Sequence, residues 1–150
     1  MKFQIPQPMK EEHDELHNNL KKAVMAGGKV GEAARGVAQA LHAHFEREEQ
    51  FALPPLGLLT ALSEGKITPE MAEVFKMTDT LKEELPHMLE EHKAIVAALE
   101  KLIAASKQEK KMEHARFAEQ LMLHAQTEEQ VSYPTTILIG EYLKLKLGMA

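Results

Sequence analysis

Cysteine and tryptophan are absent from the 150 residues of this sequence, and aromatic residues are few: two tyrosines and five phenylalanines. Without cysteine the chain forms no disulfide, and zinc sites with thiolate ligands and redox dithiols are excluded. No apolar run reaches the roughly 18 residues that a membrane-spanning helix needs, and the start of the sequence has no apolar stretch like that of a secretion signal. We therefore expect a cytoplasmic protein with no membrane partner.

A concentrated patch of positive charge is also missing. The net charge is −5, and the basic residues are dispersed among acidic ones, which argues against a nucleic-acid partner held through its phosphates. Abundant residues include alanine, leucine, glutamate and lysine, which favour helices. The composition predicts an all-helical protein, and the length suits one domain that spans 1–150.

Apolar residues recur at steps of three and four, the period of one helical face, in four long segments. The first predicted helix runs from about Pro8 to Met25 and ends at Gly27-Gly28, because glycine readily takes turn conformations. The second helix ends at Pro54-Pro55. A short extra surface helix and loop are predicted to follow over 57–66.

Proline residues also mark predicted helix starts, kinks and ends in the second half of the chain. The third predicted helix begins near Thr68-Pro69-Glu70 and is kinked or divided at Pro86. The fourth ends before Pro134. A last, strongly apolar helix over about 135–147 is expected to cover an end of a bundle or to meet a second copy in a homodimer.

One string of residues occurs twice, eighty positions apart. His44–Gln50 is followed by Pro54, and His124–Gln130 is followed by Pro134, with histidine, two adjacent glutamates and glutamine at the same spacing in both. Histidine and the first glutamate stand four positions apart, so they share one helix face. The chain therefore contains an internal duplication that carries imidazole and carboxylate groups.

A second repeated motif, Glu-Glu-His, ends at His13 in the first unit and at His92 in the second. In an antiparallel helical hairpin, residues equally far from the turn lie at the same height along the two helix axes. The midpoint of His13 and His44 falls beside Gly27-Gly28, and that of His92 and His124 falls in the polar break between the third and fourth helices. If the two hairpins pack face to face, four imidazoles converge.

Four imidazoles with two glutamates that bridge between them are ligands for two transition-metal ions. Such a set leaves open coordination positions for a small ligand, and it does not choose strongly among iron, zinc and manganese. Without metal, the buried groups would be unpaired or protonated. Metal binding should therefore stabilise the fold.

The pattern resembles the hemerythrin-like HHE cation-binding domain family. The likeness runs from about Met9 to Pro134: a lone histidine in the first helix, His-Phe-x-x-Glu-Glu in the second, Glu-His in the third, and His-x-x-x-Glu-Glu with a later Tyr-Pro in the fourth. It implies an up-down-up-down four-helix bundle over about 8–134 and a non-haem di-iron centre. The ligands that the resemblance implies are His13, His44, Glu48, His92, His124 and Glu128.

Two positions depart from the oxygen-carrying members of that family. Their fifth histidine ligand, one turn before the third-helix histidine, is Met88 here, and their fourth-helix aspartate at a five-residue step is Glu128 at four. The resemblance therefore implies binding or sensing of a small ligand such as oxygen or nitric oxide more than reversible oxygen carriage.

Two other functions stay open. A di-iron redox enzyme, or an iron-handling or iron-centre repair protein, would use the same centre, although Leu89 and Leu121 stand where ferritin-type sites have the glutamate of Glu-x-x-His. A zinc- or manganese-binding interaction module is the other alternative. Of the three, we favour the binding or sensing domain over an enzyme.

The remaining polar residues near the motifs have simpler interpretations. His17 is an extra ligand or lines a channel, and His87 joins the site only if Pro86 distorts its helix. His42 and His114 are expected in solvent.

The acidic residues beside the motifs and the nearby tyrosine are also assigned from position alone. Glu49 and Glu129 are expected at the surface or behind the ligands, and Glu12 and Glu91 are expected to be exposed. Tyr133 either donates a hydrogen bond near the site or packs.

Overall fold

The computed structural model describes residues 3–149, so the predicted domain over 1–150 extends slightly beyond the described part. Six α-helices are described, and their bounds are α1 Gln7–Met25, α2 Gly28–Arg47, α3 Leu59–Ser63, α4 Phe75–Gln108, α5 Met112–Thr127 and α6 Tyr133–Lys146. Within this range there is no strand, which confirms the all-helical prediction. None of the described helices combines the length and apolar character required to cross a lipid bilayer.

Four long helices surround the main core. α1 contacts α2 and α5, and α4 contacts the same two helices. The apolar side chains between them come from the predicted three- and four-residue stripes, and each such side chain contributes about 1.5–3 kcal/mol when buried. They include Leu16, Leu20, Val30, Val37, Leu41, Ile95, Leu99, Leu102, Phe117 and Leu121.

The two interhelical turns lie side by side and stabilise each other. Gly27 and Gly28 have φ angles of 70° and 59°, so the glycine pair forms the predicted turn between α1 and α2. Glu109, in the other turn, accepts a hydrogen bond from the backbone N–H of Val30 at 3.0 Å. Lys111 donates to the carbonyl of Ala26 at 3.2 Å. These contacts satisfy free backbone groups at the start of α2 and the end of α1.

A second apolar cluster joins α6 to the connection between α2 and α4. Ile139 and Leu143 of α6 pack with Leu53, Leu56 and further apolar residues of that connection. Thr136 of α6 also donates to the carbonyl of Ala52 at 2.6 Å. α6 therefore closes the region beyond the ends of α2 and α5, while its opposite face leaves Leu138 and Leu145 exposed.

The prolines at the predicted helix boundaries have different effects on the helices. Pro86 does not divide α4, because it is exposed and the flanking Leu81 and Met88 are fully buried, so packing holds both halves. Pro69 begins a 3₁₀ turn, Pro69–Val74, and α4 starts only after it. Pro134 lies in the first turn of α6, where a missing N–H leaves no helical hydrogen bond unmade.

Two glycines provide a matched test of this packing. A Cβ at Gly140 would lie 2.3 Å from Oγ1 of Thr78, where α6 meets α4, whereas one at Gly36 would meet nothing within 4 Å. We expect Gly140→Ala to lower the free energy of unfolding by about 1–3 kcal/mol. Gly36→Ala should raise it by about 0.5–1 kcal/mol, because alanine favours helix. Urea unfolding measures both changes, and equal stability of the two variants would contradict the close approach.

Candidate metal centre

The structure brings all six predicted residues into one buried cluster. They form two overlapping groups of four, and within each group the candidate ligand atoms lie within 4.8 Å of one another. The first group contains His13 and His124, the second contains His44 and His92, and both contain Glu48 and Glu128. Each histidine comes from a different long helix, so the packing of α1, α2, α4 and α5 builds the cluster.

Each shared glutamate begins a π-helical turn. The turns are Glu48–Ala52 and Glu128–Ser132, and the carbonyl of Glu48 accepts from the N–H of Leu53 at 2.9 Å. Wide turns of this kind are frequent at functional sites. These π-helical turns were not predicted from the sequence. The proline that follows each glutamate by six positions was the available signal, because proline cannot continue the regular hydrogen-bond pattern.

Four buried polar atoms of the first group have no hydrogen-bond partner: Nε2 of His13 and His124, and Oε2 of Glu48 and Glu128. Nε2 of His13 lies 3.5 Å from Oε2 of Glu48, and Nε2 of His124 lies 3.2 Å from Oε2 of Glu128. A buried unsatisfied polar group costs about 1–3 kcal/mol. Four such atoms that converge on one point fit a cation.

In the second group, Nε2 of His44 and Nε2 of His92 are only 2.8 Å apart. Their Nδ1 atoms donate to carboxylates, His44 to Glu91 at 3.0 Å and His92 to Glu129 at 2.9 Å. A neutral imidazole has one N–H, so both Nε2 atoms would present lone pairs to each other. A proton or a metal ion must therefore lie between these rings.

Tyr133 is fully buried beside this second group. Its hydroxyl donates to Oε1 of Glu48 at 2.5 Å and lies 3.2 Å from Nε2 of both His44 and His92. Burial, and then the charge of Glu48, raise the pKa of the phenol above its ordinary value. Tyr133 therefore has both predicted roles, because it packs in the core and donates a hydrogen bond at the site.

Each of the four histidines faces a carboxylate on its outer side. Besides the pairs with Glu91 and Glu129, Nδ1 of His124 hydrogen-bonds to Glu12, and Nδ1 of His13 lies 3.8 Å from Glu49. Such carboxylates orient the imidazole and increase its basicity toward a metal. The expected exposure is confirmed for Glu12, whose side chain is 56% exposed, but was wrong for Glu91, which is 19% exposed. Each reaches a histidine on the opposite hairpin, a contact that no sequence spacing within one hairpin reveals.

The other histidines lie outside the cluster. His17 is partly buried with its ring against Phe45, and burial lowers its pKa. His42 and His87 are exposed. The prediction for His114 was wrong: it is buried near Phe117 in a pocket of about 680 Å³ between α1 and α5, because its face of α5 packs on α1.

Charge within the cluster is balanced by protonated histidine. Burial opposes protonation of His92, but hydrogen bonds to Glu128, Glu48 and Glu129 outweigh it and raise the pKa to about 10. Burial likewise opposes protonation of His124, and Glu128 raises that pKa to about 9. Burial also opposes ionisation of Glu128, but the neighbouring imidazoles of His124, His13 and His92 hold its pKa well below the usual value. His92 and His124 are therefore protonated at neutral pH when no metal is bound.

Comparison of the chain with protein-family models, with curated proteins and with solved structures found no match. The assignment therefore depends on geometry and donor chemistry. Buried imidazoles and carboxylates that share unsatisfied atoms form a cluster that could hold a metal ion.

The shifted pKa values predict how the metal-free protein responds to pH. Protonated His92 and His124 add to the free energy of unfolding. Their contribution is fully present below the ordinary pKa of 6.5 and is lost as pH rises through about 9 and 10. The contribution of Glu128 is present above 4.5 and is lost as pH falls through its lowered pKa. We expect the unfolding free energy, measured with a chelator present, to decrease steadily from pH 6.5 to 10. A flat profile over that range would contradict the protonated cluster.

The outer carboxylates predict a second effect. Glu91→Gln and Glu129→Gln should each weaken metal binding by about 10- to 100-fold, because the amide polarises the imidazole less than a carboxylate does. Glu90→Gln is the matched control, since Glu90 is exposed and pairs only with Lys93 among the contacts described. Competition with a chromophoric chelator measures the affinity. Equal affinities of Glu91→Gln and Glu90→Gln would mean that Glu91 has no such role.

Proposed function

We propose that the chain is a hemerythrin-like HHE domain that holds a non-haem di-iron centre and binds or senses a small ligand such as oxygen or nitric oxide. In this proposal the four long helices run up-down-up-down. The short turns between α1 and α2 and between α4 and α5, held together at one end by Glu109 and Lys111, support that order. The proposed ligands are His13, His44, Glu48, His92, His124 and Glu128.

The sharing of Glu48 and Glu128 by both groups of four carries the proposal. A single ion would leave one pair of imidazoles without a partner, whereas two ions would use every candidate ligand, with Glu48 and Glu128 available to both. Each ion would then have two imidazole nitrogens and two carboxylate oxygens. Iron commonly takes more ligands than four, so this donor set leaves room for a small molecule.

The surroundings of the second group suit a small ligand. When bound, a pair of iron ions supplies open coordination positions and an excess of positive charge over the two bridging carboxylates, which attracts electron-rich molecules. The hydroxyl of Tyr133 provides a hydrogen-bond donor there. Met88, Phe51 and Leu81 pack around the same tyrosine and exclude water from that side.

Iron analysis of protein purified without oxygen tests the proposal, together with a matched pair of histidine variants. We expect about two iron ions per chain in the wild type and in His42→Ala, whose histidine is exposed, and at least one fewer in His44→Ala. Bound metal at about 1,000 times Kd should add about 4 kcal/mol to the unfolding free energy. Fewer than about one iron per chain after loading would refute the di-iron centre.

Absorption spectra then separate the ligand-binding function from its alternatives. Stable spectral changes on addition of oxygen or nitric oxide would support ligand binding. Turnover of hydrogen peroxide or ferrous iron without a stable adduct would favour a redox or iron-handling enzyme. A colourless protein with stoichiometric zinc from iron-replete cells would favour a zinc module.

A further inference from the structure

An acidic groove runs between α1 and α5 and ends at the candidate metal centre. Its volume is about 520 Å³, its α1 wall includes Glu11, Glu12 and Glu15, and its α5 wall includes His124 and Thr127. Neither lysine nor arginine is among the described residues that line it. Carboxylates concentrated in a cleft raise the local concentration of cations.

His124 separates this groove from the interior of the cluster. Its side chain is 9% exposed, against 3% or less for the other five proposed ligands. Its Nδ1 meets Glu12, which lines the groove, while its Nε2 has no hydrogen-bond partner and faces Oε2 of Glu128. One imidazole therefore has one edge toward the acidic groove and an unsatisfied atom toward the centre.

The duplicated half of the molecule is closed at the corresponding place. Glu91 and His44 correspond there to Glu12 and His124, but the position equivalent to Thr127 is Arg47. Arg47 forms an ion pair with Glu91, and that carboxylate is 19% exposed whereas Glu12 is 56% exposed. A guanidinium repels cations and holds its carboxylate in place. The internal symmetry is therefore broken so that one side is closed by an ion pair and the other is open and acidic.

We propose that the groove between α1 and α5 is the entrance through which divalent cations reach the centre, with Glu11 and Glu15 attracting the ion and His124 as the first ligand that it meets. This inference rests on the proposed metal-binding function. For an ion to pass, the half-exposed carboxylate of Glu12 must release Nδ1 of His124, and a rotation of His124 about its side-chain bonds must then expose Glu128. Entrance from the opposite side would require the Arg47–Glu91 ion pair to break first.

Stopped-flow absorbance of Co²⁺ uptake by the metal-free full-length protein tests the entrance. Glu11→Gln/Glu15→Gln should slow uptake about threefold to tenfold and leave the final stoichiometry unchanged, because two attracting charges are removed from outside the ligand set. Thr127→Arg should slow uptake similarly, since it places an arginine where the closed side has Arg47. Glu32→Gln/Glu100→Gln, with the same change in net charge at exposed positions on α2 and α4, should load at the wild-type rate.

The possible outcomes distinguish failure of the proposed entrance from failure of the proposed metal-binding function. Wild-type uptake that falls with added salt more steeply than uptake by Glu11→Gln/Glu15→Gln would support the entrance. Full Co²⁺ binding by all proteins at one common rate would overturn the entrance and leave the metal centre intact. Failure of the wild type to bind Co²⁺ at all would overturn both. The Glu11/Glu15 variant changes only solvent-facing side chains, so the test does not depend on whether Thr127→Arg folds.

Discussion

Two carboxylates buried at the centre of a helical protein are the constraint on which the rest of the structure depends. Glu48 and Glu128 are almost completely inaccessible, and isolated charges of that kind are too costly to bury. The surrounding structure supplies compensation: four imidazoles within reach, a phenol that donates to Glu48, and outer carboxylates that orient the imidazoles. Positive charge is the missing component, and protons on His92 and His124 provide it when no metal does.

Internal duplication explains why this arrangement is so complete. Each candidate ligand of one group has its counterpart, in the other half of the chain, in the other group. The outer pairs correspond in the same way: Glu12 with His124 matches Glu91 with His44. A two-fold repeated set around shared carboxylates suits two equivalent cations. The two halves also differ from each other. Tyr133 replaces the buried Leu53, which distinguishes the two groups, and Thr127 replaces Arg47, which opens one side.

Local physical chemistry explains which predictions agree with the structure. The apolar stripes mark the core faces of α1, α2, α4 and α5, and the glycine pair marks the first turn, since both signals depend only on residues near in sequence. The level placement of the histidines follows from helical rise and the position of the turns. Proline is a less decisive signal, because its effect depends on whether its ring faces solvent or begins a helix. Pro86 and Pro134 show the two cases.

The sequence by itself determined the all-helical class, the repeated histidine and glutamate motifs and the level placement of the histidines within each hairpin, because periodicity and equal spacing from a turn are one-dimensional properties. Tertiary structure alone decided which carboxylate stands behind which imidazole, since Glu12 and Glu91 each reach the other hairpin. It also decided the burial of His114, the hydrogen bonds of Tyr133 and the open groove at His124. Each of these depends on the lateral packing of helices distant in sequence, which no local pattern encodes.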